Sequence, residues 1–292
     1  MRPLGRPDTA PVASAAVARR TPRQSAYPTE LLTNLTLREL RGKFKRSTLG
    51  WLWSIINPAA NIAVYSIVFG VFLAVEAPEG DPSGLHVYAL FLMCGLIPWS
   101  FLANGLTGSV ESIVSNEGLV KKVYFPRWVL PASSVLAWMA SYGVELIVLG
   151  AILLVAGNMI LPWLPVVLVL MLLQLGFTLG IGMVLSGANA YFRDIQHFLG
   201  IFLNIWFYAT PILYPPDLPP ESKELLGVTV PVRDILSVNP MAAFVEAYRD
   251  ALYHLRLPGA GTMAYLVLLT AVTLTVGVTV FNRLEASLAE EL

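Results

Sequence analysis

The chain has 292 residues, 56% of them hydrophobic and 13% charged, with a formal net charge of +0. A soluble domain of this length carries about a quarter charged residues, so the deficit points to the bilayer as solvent. A single cysteine, Cys94, excludes an intrachain disulfide framework and a cysteine-based metal cluster, and His86, His197 and His254 are too scattered to predict a metal site.

Residues 1–26 are rich in Pro, Ala and Arg and have no hydrophobic period. They read as a disordered tail. They do not read as a signal peptide, because no apolar run follows the early arginines. Tyr27 to Gly50 differs. Leu31, Leu32 and Leu35 form one apolar cluster, and Leu37, Leu40 and Phe44 a second, while Arg38, Arg41, Lys43, Lys45 and Arg46 fill the other faces. The two clusters do not make one stripe; a bend or twist near Thr36 would bring them onto one face. A basic amphipathic helix just before a membrane span reads as an interface helix; a solvated cluster that merely sets topology is the plainer alternative.

A span needs about 20 apolar residues. Six runs qualify: residues 51–75, 87–107, 130–156, 165–188, 195–213 and 263–281. The expected fold is therefore an all-α polytopic membrane protein. Of the 19 Lys and Arg, ten precede Trp51. Lys121, Lys122 and Arg127 lie between spans two and three, Arg193 between four and five, and Arg283 after six; Lys223, Arg233, Arg249 and Arg256 fall on the other side. The excess of basic residues on one side predicts cytoplasmic termini. The loop Glu76 to His86, acidic and free of Lys and Arg, then lies outside.

Two connecting segments carry pattern of their own. In Gly108 to Arg127, Val110, Ile113 and Val114 suggest a short amphipathic helix, which Gly118 is expected to interrupt. In Pro215 to Gly261, Pro215, Pro216, Pro219 and Pro220 forbid regular helix. Asn239-Pro240 then starts a helix over Met241 to Tyr253, too short to span and too apolar to stand free, so an interfacial or re-entrant element is expected.

Polar residues inside spans are costly unless paired. Glu145 is the one carboxylate deep in a predicted span, either a gating residue or a tie between two helices. Gln174, Asn61 and Asn204 read as interhelical hydrogen-bond partners, and Gly176-x-x-x-Gly180 with Gly182-x-x-x-Ser186 as faces for close helix contact, available for dimerisation. Tyr65, Trp99, Trp138, Tyr142, Trp206 and Tyr208 read either as interfacial belt residues or as rings on which sugars stack along a path. The sequence has no Gly-rich phosphate cradle, no H-E-x-x-H and no G-x-S-x-G. Active transport would therefore borrow its energy from another chain.

Four blocks occur in order: LRELRGKFKRSTLGWLWSIINP (Leu37 to Pro58), NEGLVKKVYFPRWVLP (Asn116 to Pro131), YFRDIQHF followed by YATPILYP (Tyr191 to Pro215), and NPMAAFVEAYRDALY (Asn239 to Tyr253). Together they resemble the permease subunit of ABC-2-type exporters of polysaccharides, including O-antigen, galactan and teichoic acid transporters, over residues 27–285. The resemblance implies one transmembrane domain over residues 27–292 that is not itself an enzyme. It also implies a homodimer in the bacterial cytoplasmic membrane, docked to two separate ATPase subunits that bind ATP and Mg. The implied substrate is a lipid-linked glycan threading between the two copies; no nucleic acid and no cofactor in this chain are expected. In that family a segment after span two touches the ATPase. Here it maps to Glu111, Asn116, Lys121, Lys122, Tyr124 and Phe125, with Arg193 and Asp194 nearby. The outer segment that gates the exit maps to Pro211, Tyr214, Asn239, Pro240, Glu246, Tyr248 and Arg249. An exporter of a drug or small lipid shares this architecture; a membrane-embedded lipid-modifying enzyme would want more convergent polar groups than these spans supply.

Overall fold

The structure, a computed structural model, describes residues 27–43, 49–72, 78–215, 223–225, 228–230 and 238–285. The tail over residues 1–26, Lys45, Arg46, and prolines 216, 219 and 220 lie outside the described residues. Helices dominate. In chain order they are α1 (Tyr27–Lys43), α2 (Trp53–Tyr65, continued by wide π-type turns to Phe72), α3 (Tyr88–Ser112), α4 (Glu117–Lys122), α5 (Val129–Val155), α6 (Leu164–Tyr191), α7 (Ile195–Tyr208), α8 (Pro240–Arg249) and α9 (Ala260–Glu285). A small antiparallel ladder pairs Lys223–Leu225 with Val228–Val230.

Among the described residues, five helical lengths are long and apolar enough to cross a membrane: Ile55–Phe72, Tyr88–Ser115, Val129–Val155, Leu161–Tyr191 and Ala260–Glu285. The chain is thus a multi-pass helical membrane protein. The expected fifth span stops early. α7 has 14 residues, about 21 Å of helix against a hydrocarbon core of about 30 Å. It ends because Pro211 has no N–H to continue the ladder and the Thr210 hydroxyl turns back to the Trp206 carbonyl at 2.8 Å.

α3 is the centre of the bundle. It is buried on most of its faces and is touched by α2, α5, α6, α7 and α8. Its first half, Tyr88 to Trp99, is apolar on every side, which suits a helix wrapped by others; in its second half Asn104, Thr107 and Glu111 form an exposed polar stripe. The buried Gln174 amide on α6 donates to the Pro98 carbonyl of α3 at 2.7 Å and also accepts from the Tyr142 hydroxyl of α5. Gln174 is therefore the interhelical tie its sequence position suggests. Asn61 and Asn204 instead lie on the exposed surface of the protomer.

The small-residue face of α6 is used within the protomer. A Cβ at Gly277 of α9 would fall on the backbone of Gly180, and one at Gly180 on the backbone of Thr273; one at Gly176 would stand 2.8 Å from the Thr270 side chain. This face packs on α9 and is not a free dimerisation seam. Gly182 faces Ser109 of α3.

α1 stays helical through Thr36, whose hydroxyl donates to the Leu32 carbonyl inside the helix. Two further expectations are corrected. α3 continues through Gly108 to Ser112, so Glu111 stands on its last turn and not in a separate connector. Gly118 lies inside α4 and does not interrupt it; nothing stands near its Cα that a side chain would strike, so the glycine is tolerated in an exposed first turn.

Candidate functional site

The bundle has two polar ends. At the end opposite α1, the break after α7 is held by α8. Asn239 is the N-cap of α8: its Oδ1 accepts from the Met241 N–H at 3.0 Å and from the Trp206 indole N–H at 2.7 Å. Its amide nitrogen donates to the Ala209 carbonyl at 3.0 Å and to the Thr210 hydroxyl at 3.1 Å. Pro240 at the first helical position fits a site whose N–H would be free in any case. Arg249, at the other end of α8, is 4% exposed. Its guanidinium donates to the Pro211 and Ile212 carbonyls at 2.6 and 2.7 Å and lies 3.7 Å from the centre of the Phe91 ring. Carbonyls of the turn that follows α7 thus find their donors in one buried cation. Tyr214 donates to the Tyr208 carbonyl at 3.1 Å, and Tyr248 is fully buried beside Tyr142. Glu246 points outward on the exposed side of α8.

α8 is also anchored to the neighbouring loops. The Tyr253 hydroxyl reaches the Pro78 and Leu85 carbonyls at 2.8 Å each, Ser83 bonds the Tyr253 carbonyl, and Asn158 donates to the Leu252 carbonyl at 2.7 Å. Asp250 and Arg256 pair at 2.6 Å, closing the turn in which Leu255 takes a left-handed φ of 61°. His254 accepts from the Asp81 N–H at 3.2 Å. Its burial, and then Arg256 nearby, hold its pKa below the ordinary value.

The α1 end is a second apolar cluster, separate from the main core. Leu35, Ile113, Val120, Phe125, Val129, Ala190 and Phe281 bury together there, so α1, α4 and the near ends of α3, α5, α6 and α9 meet at one place. Arg38 donates to Asn116 at 2.7 Å, keying α1 to the turn before α4. Lys121 pairs with Glu117 at 2.6 Å across one helical turn. That bond, the charge of Lys121, and more weakly Arg193 hold the Glu117 carboxyl below its usual pKa. Arg193 is thus near α4. Arg193 and Asp194 are both exposed in the turn that opens α7, as are Arg41 on α1 and Lys122 on α4. Tyr124 is 98% exposed, whereas Phe125, the next residue, is buried.

Lys43 reaches from the end of α1 onto α5. Its ammonium lies 3.2 Å from the centre of the Trp138 ring, 3.1 Å from the Ser141 hydroxyl and 3.3 Å from the Ala137 carbonyl, all on α5. Glu145, one turn further along α5, is electrostatically coupled to it. Sequence reading treats Lys43 and Glu145 separately; the structure brings them together.

The six aromatic candidates do not form one stripe. Tyr142 is 1% exposed and stacks on Phe101 at 4.9 Å, and Trp99 is 6% exposed, edge-on to Trp206 at 5.8 Å. Both rings are consumed by the protomer's own packing and keep no free face in this conformation. Trp206 and Tyr208 continue the Trp99 cluster toward the surface through Phe207, and Tyr208 is 64% exposed. Tyr65 belongs to a different chain of rings, through Phe69 to Tyr88 and Phe91. Trp138 is covered by Lys43. Sequence reading missed Asn158, Phe91 and the Arg127–Glu285 contact described below. It also missed Asn189, which donates to the Val110 carbonyl at 3.1 Å and accepts from the Gln196 N–H, splicing α3 to the α6–α7 turn. An Asn near a helix end in an apolar run was the available signal.

The chain is 33% identical over 268 residues to the O-antigen export system permease protein RfbA of Klebsiella pneumoniae, covering 90% of this chain and 95% of that one. It is 31% identical over 265 residues to the protein of the same name from Myxococcus xanthus, with the same coverage, and 27% identical over 264 residues to the polysialic acid transport protein KpsM of Escherichia coli, covering 87% and 93%. The ABC-2 type transporter family matches residues 30–253, a length that runs from α1 through α8 and takes in both polar ends. By that match and by near full-length likeness to the RfbA permeases, the chain belongs to the ABC-2 type transporter family.

Proposed function

We infer that this chain is the permease subunit of an ATP-driven exporter that moves a lipid-linked polysaccharide across the bacterial cytoplasmic membrane. The observation that carries the reading is the near full-length likeness to permeases named for O-antigen export, seconded by one named for polysialic acid transport. The chain does not hydrolyse ATP itself; a separate nucleotide-binding subunit binds ATP and Mg. Two copies of the chain enclose the path, and both termini face the cytoplasm.

In this reading α1 is the interface helix, α4 with Lys121, Lys122 and Tyr124 receives the ATPase, and Arg193 and Asp194 lie beside it at the cytoplasmic mouth. The five long spans are completed by a sixth, α7 extended through the Thr210–Leu213 turn, with α8 as a re-entrant outer helix. Asn239 and Arg249 clamp both ends of α8 onto that turn, so a movement of α7 is carried to α8. Exposed rings such as Tyr208, with Phe202 and Phe198 on the outward face of α7, are the candidates that remain for lining the path once two copies meet. A glycan offers C–H faces to such rings beside hydroxyls for hydrogen bonds.

The test is depletion of the chain in its native cell. Lipid-linked polymer should accumulate at the cytoplasmic face and disappear on re-expression together with the cognate ATPase. Unchanged glycan with altered drug tolerance would instead favour a small-molecule exporter. ATP turnover by the purified chain alone would contradict the division of labour.

A further inference from the structure

The loop between α2 and α3 folds onto the turn Asp250–His254 that continues α8. The loop closes on itself where the Gly80 N–H donates to the Leu85 carbonyl at 2.9 Å. Its base is pinned by Tyr253, whose hydroxyl reaches the Pro78 and Leu85 carbonyls. The tip has a different tie. The Asp81 N–H donates to Nδ1 of His254 at 3.2 Å. An imidazole nitrogen accepts only when it carries no proton, so this bond belongs to the neutral ring with its hydrogen on Nε2.

Protonation turns that acceptor into a second donor. Two N–H groups then point at each other, and the contact opens. The surroundings set when this happens. Burial of the ring, and then the positive charge of Arg256 and Arg249, disfavour the imidazolium, while Asp250 and Asp81 oppose them. Asp250 is already paired with Arg256 at 2.6 Å, and the balance holds the pKa below the ordinary 6.5. Tyr253 packs edge-on against the ring at 5.3 Å. In the described part of the loop, Glu79 and His86 stand 3.5 Å apart, both exposed. α3 and α6 also pack on this turn. The near half of α3 carries Tyr88 and Cys94, uncharged at neutral or acid pH, and the first charged residues along the two helices are Glu111 and Arg193, at or past their far ends.

We propose that His254 is an acid-released latch: the neutral ring holds the tip of the α2–α3 loop on the end of α8, and a proton on the ring lets the tip go while Tyr253 keeps its base in place. The exporter reading enters only in placing the latch on the outer face, beside the outer helix α8, where the pH of the medium reaches it. The free loop binds more protons than the latched one. Latching is therefore at full strength above about pH 6.5 and weakens as pH falls below it; once the latched ring is charged as well, no further change follows.

The experiment is hydrogen–deuterium exchange on the full-length chain in lipid nanodiscs at pH 8 and pH 5. Rates are corrected for the intrinsic pH dependence of amide exchange and read on peptides covering residues 79–86. Acid should raise the corrected rate at Asp81 at least several-fold, with peptides from within α5 unchanged. His254→Asn can place an amide oxygen where Nδ1 stands and cannot titrate, so its loop should stay protected at both pH values. His254→Phe keeps a ring without an acceptor, so its loop should exchange fast at both. His86→Asn should leave the acid response intact. Equal corrected rates at the two pH values in the wild type would overturn the proposal, as would an acid response that survives in His254→Asn or vanishes in His86→Asn. None of these outcomes depends on what the chain exports.

Discussion

Trp206 and Asn239, 33 residues apart, are joined by an indole N–H to amide oxygen bond of 2.7 Å, and the same Asn239 oxygen caps α8. One side chain therefore ends one helix and starts another. Asn239→Ala should lose the cap, at about 0.5–2 kcal/mol, and leave the Trp206 N–H and the Thr210 turn without their partner. Asn239→Asp keeps the acceptor for Trp206 and Met241 but cannot donate to Ala209 and Thr210. The expected order of thermal stability in purified complex is wild type, then Asp, then Ala, with export falling in the same order while membrane insertion persists. Equal stability of the Asp and Ala variants would show that the two amide donations carry the junction alone.

Arg249 sets a second condition on the same turn. It is buried with the Pro211, Ile212 and Phe91 carbonyls as its acceptors, so Arg249→Ala leaves the Pro211 and Ile212 carbonyls unsatisfied, at about 1–3 kcal/mol for each group. Arg249→Lys keeps the charge but lacks the planar fork that reaches two carbonyls at once. Thermal denaturation of the purified complex should therefore place Lys between wild type and Ala, and closer to Ala. A Lys variant as stable as wild type would mean that charge over the Phe91 ring, and not the paired donation, holds the turn.

The helices read well from sequence where the signal is local. The expected starts of the second and third spans at Val87 and Leu130 fall one residue from the observed starts at Tyr88 and Val129, because long apolar runs leave little choice. The α8 cap at Asn239-Pro240 was equally legible, since both residues act on their immediate neighbours. What failed was reading a glycine as a break: Gly118 sits inside a helix whose course is fixed by packing of Val120 in the second apolar cluster. The site was legible as residue types but not as contacts. Lys43 meets Ser141 across 98 positions and Arg127 meets Glu285 across 158, and no period or motif in the chain encodes such distances.

The α6–α9 crossing gives a sharp steric prediction. A Cβ at Gly277 meets the backbone of Gly180, and backbone cannot rotate away as a side chain tip can. Gly180→Ala and Gly277→Ala should each cost about 1–3 kcal/mol, the range for overpacking a well-filled contact, and reduce the yield of folded permease. Gly143→Ala on α5 is the control, because its Cβ would find only the Met171 tip at an ordinary 3.9 Å; it should be neutral or slightly stabilising through helix propensity. Protease resistance in membranes separates the two outcomes. A tolerated Gly277→Ala would mean that α6 and α9 stand further apart than described.

Lys43 gives the pH dependence. Burial against α5 lowers its pKa from 10.5 to about 7, with Glu145 and then Glu39 opposing the shift. When α1 is undocked the ammonium returns to water and its ordinary value. Between about pH 7 and pH 10.5 the undocked state therefore binds more protons, and docking of α1 on α5 strengthens as pH rises through that window; below about pH 7 Lys43 is charged in both states and adds no further pH dependence. A spin label at Arg41→Cys, on the exposed face of α1, should become less mobile from pH 6 to pH 9 in lipid nanodiscs. Lys43→Met should flatten the profile, since it fills the same space without a proton to exchange. Glu145→Gln removes the main group that favours the ammonium, so its transition should move to lower pH. A wild-type profile as flat as that of Lys43→Met would rule out Lys43 as the group that ties α1 to the third long helix.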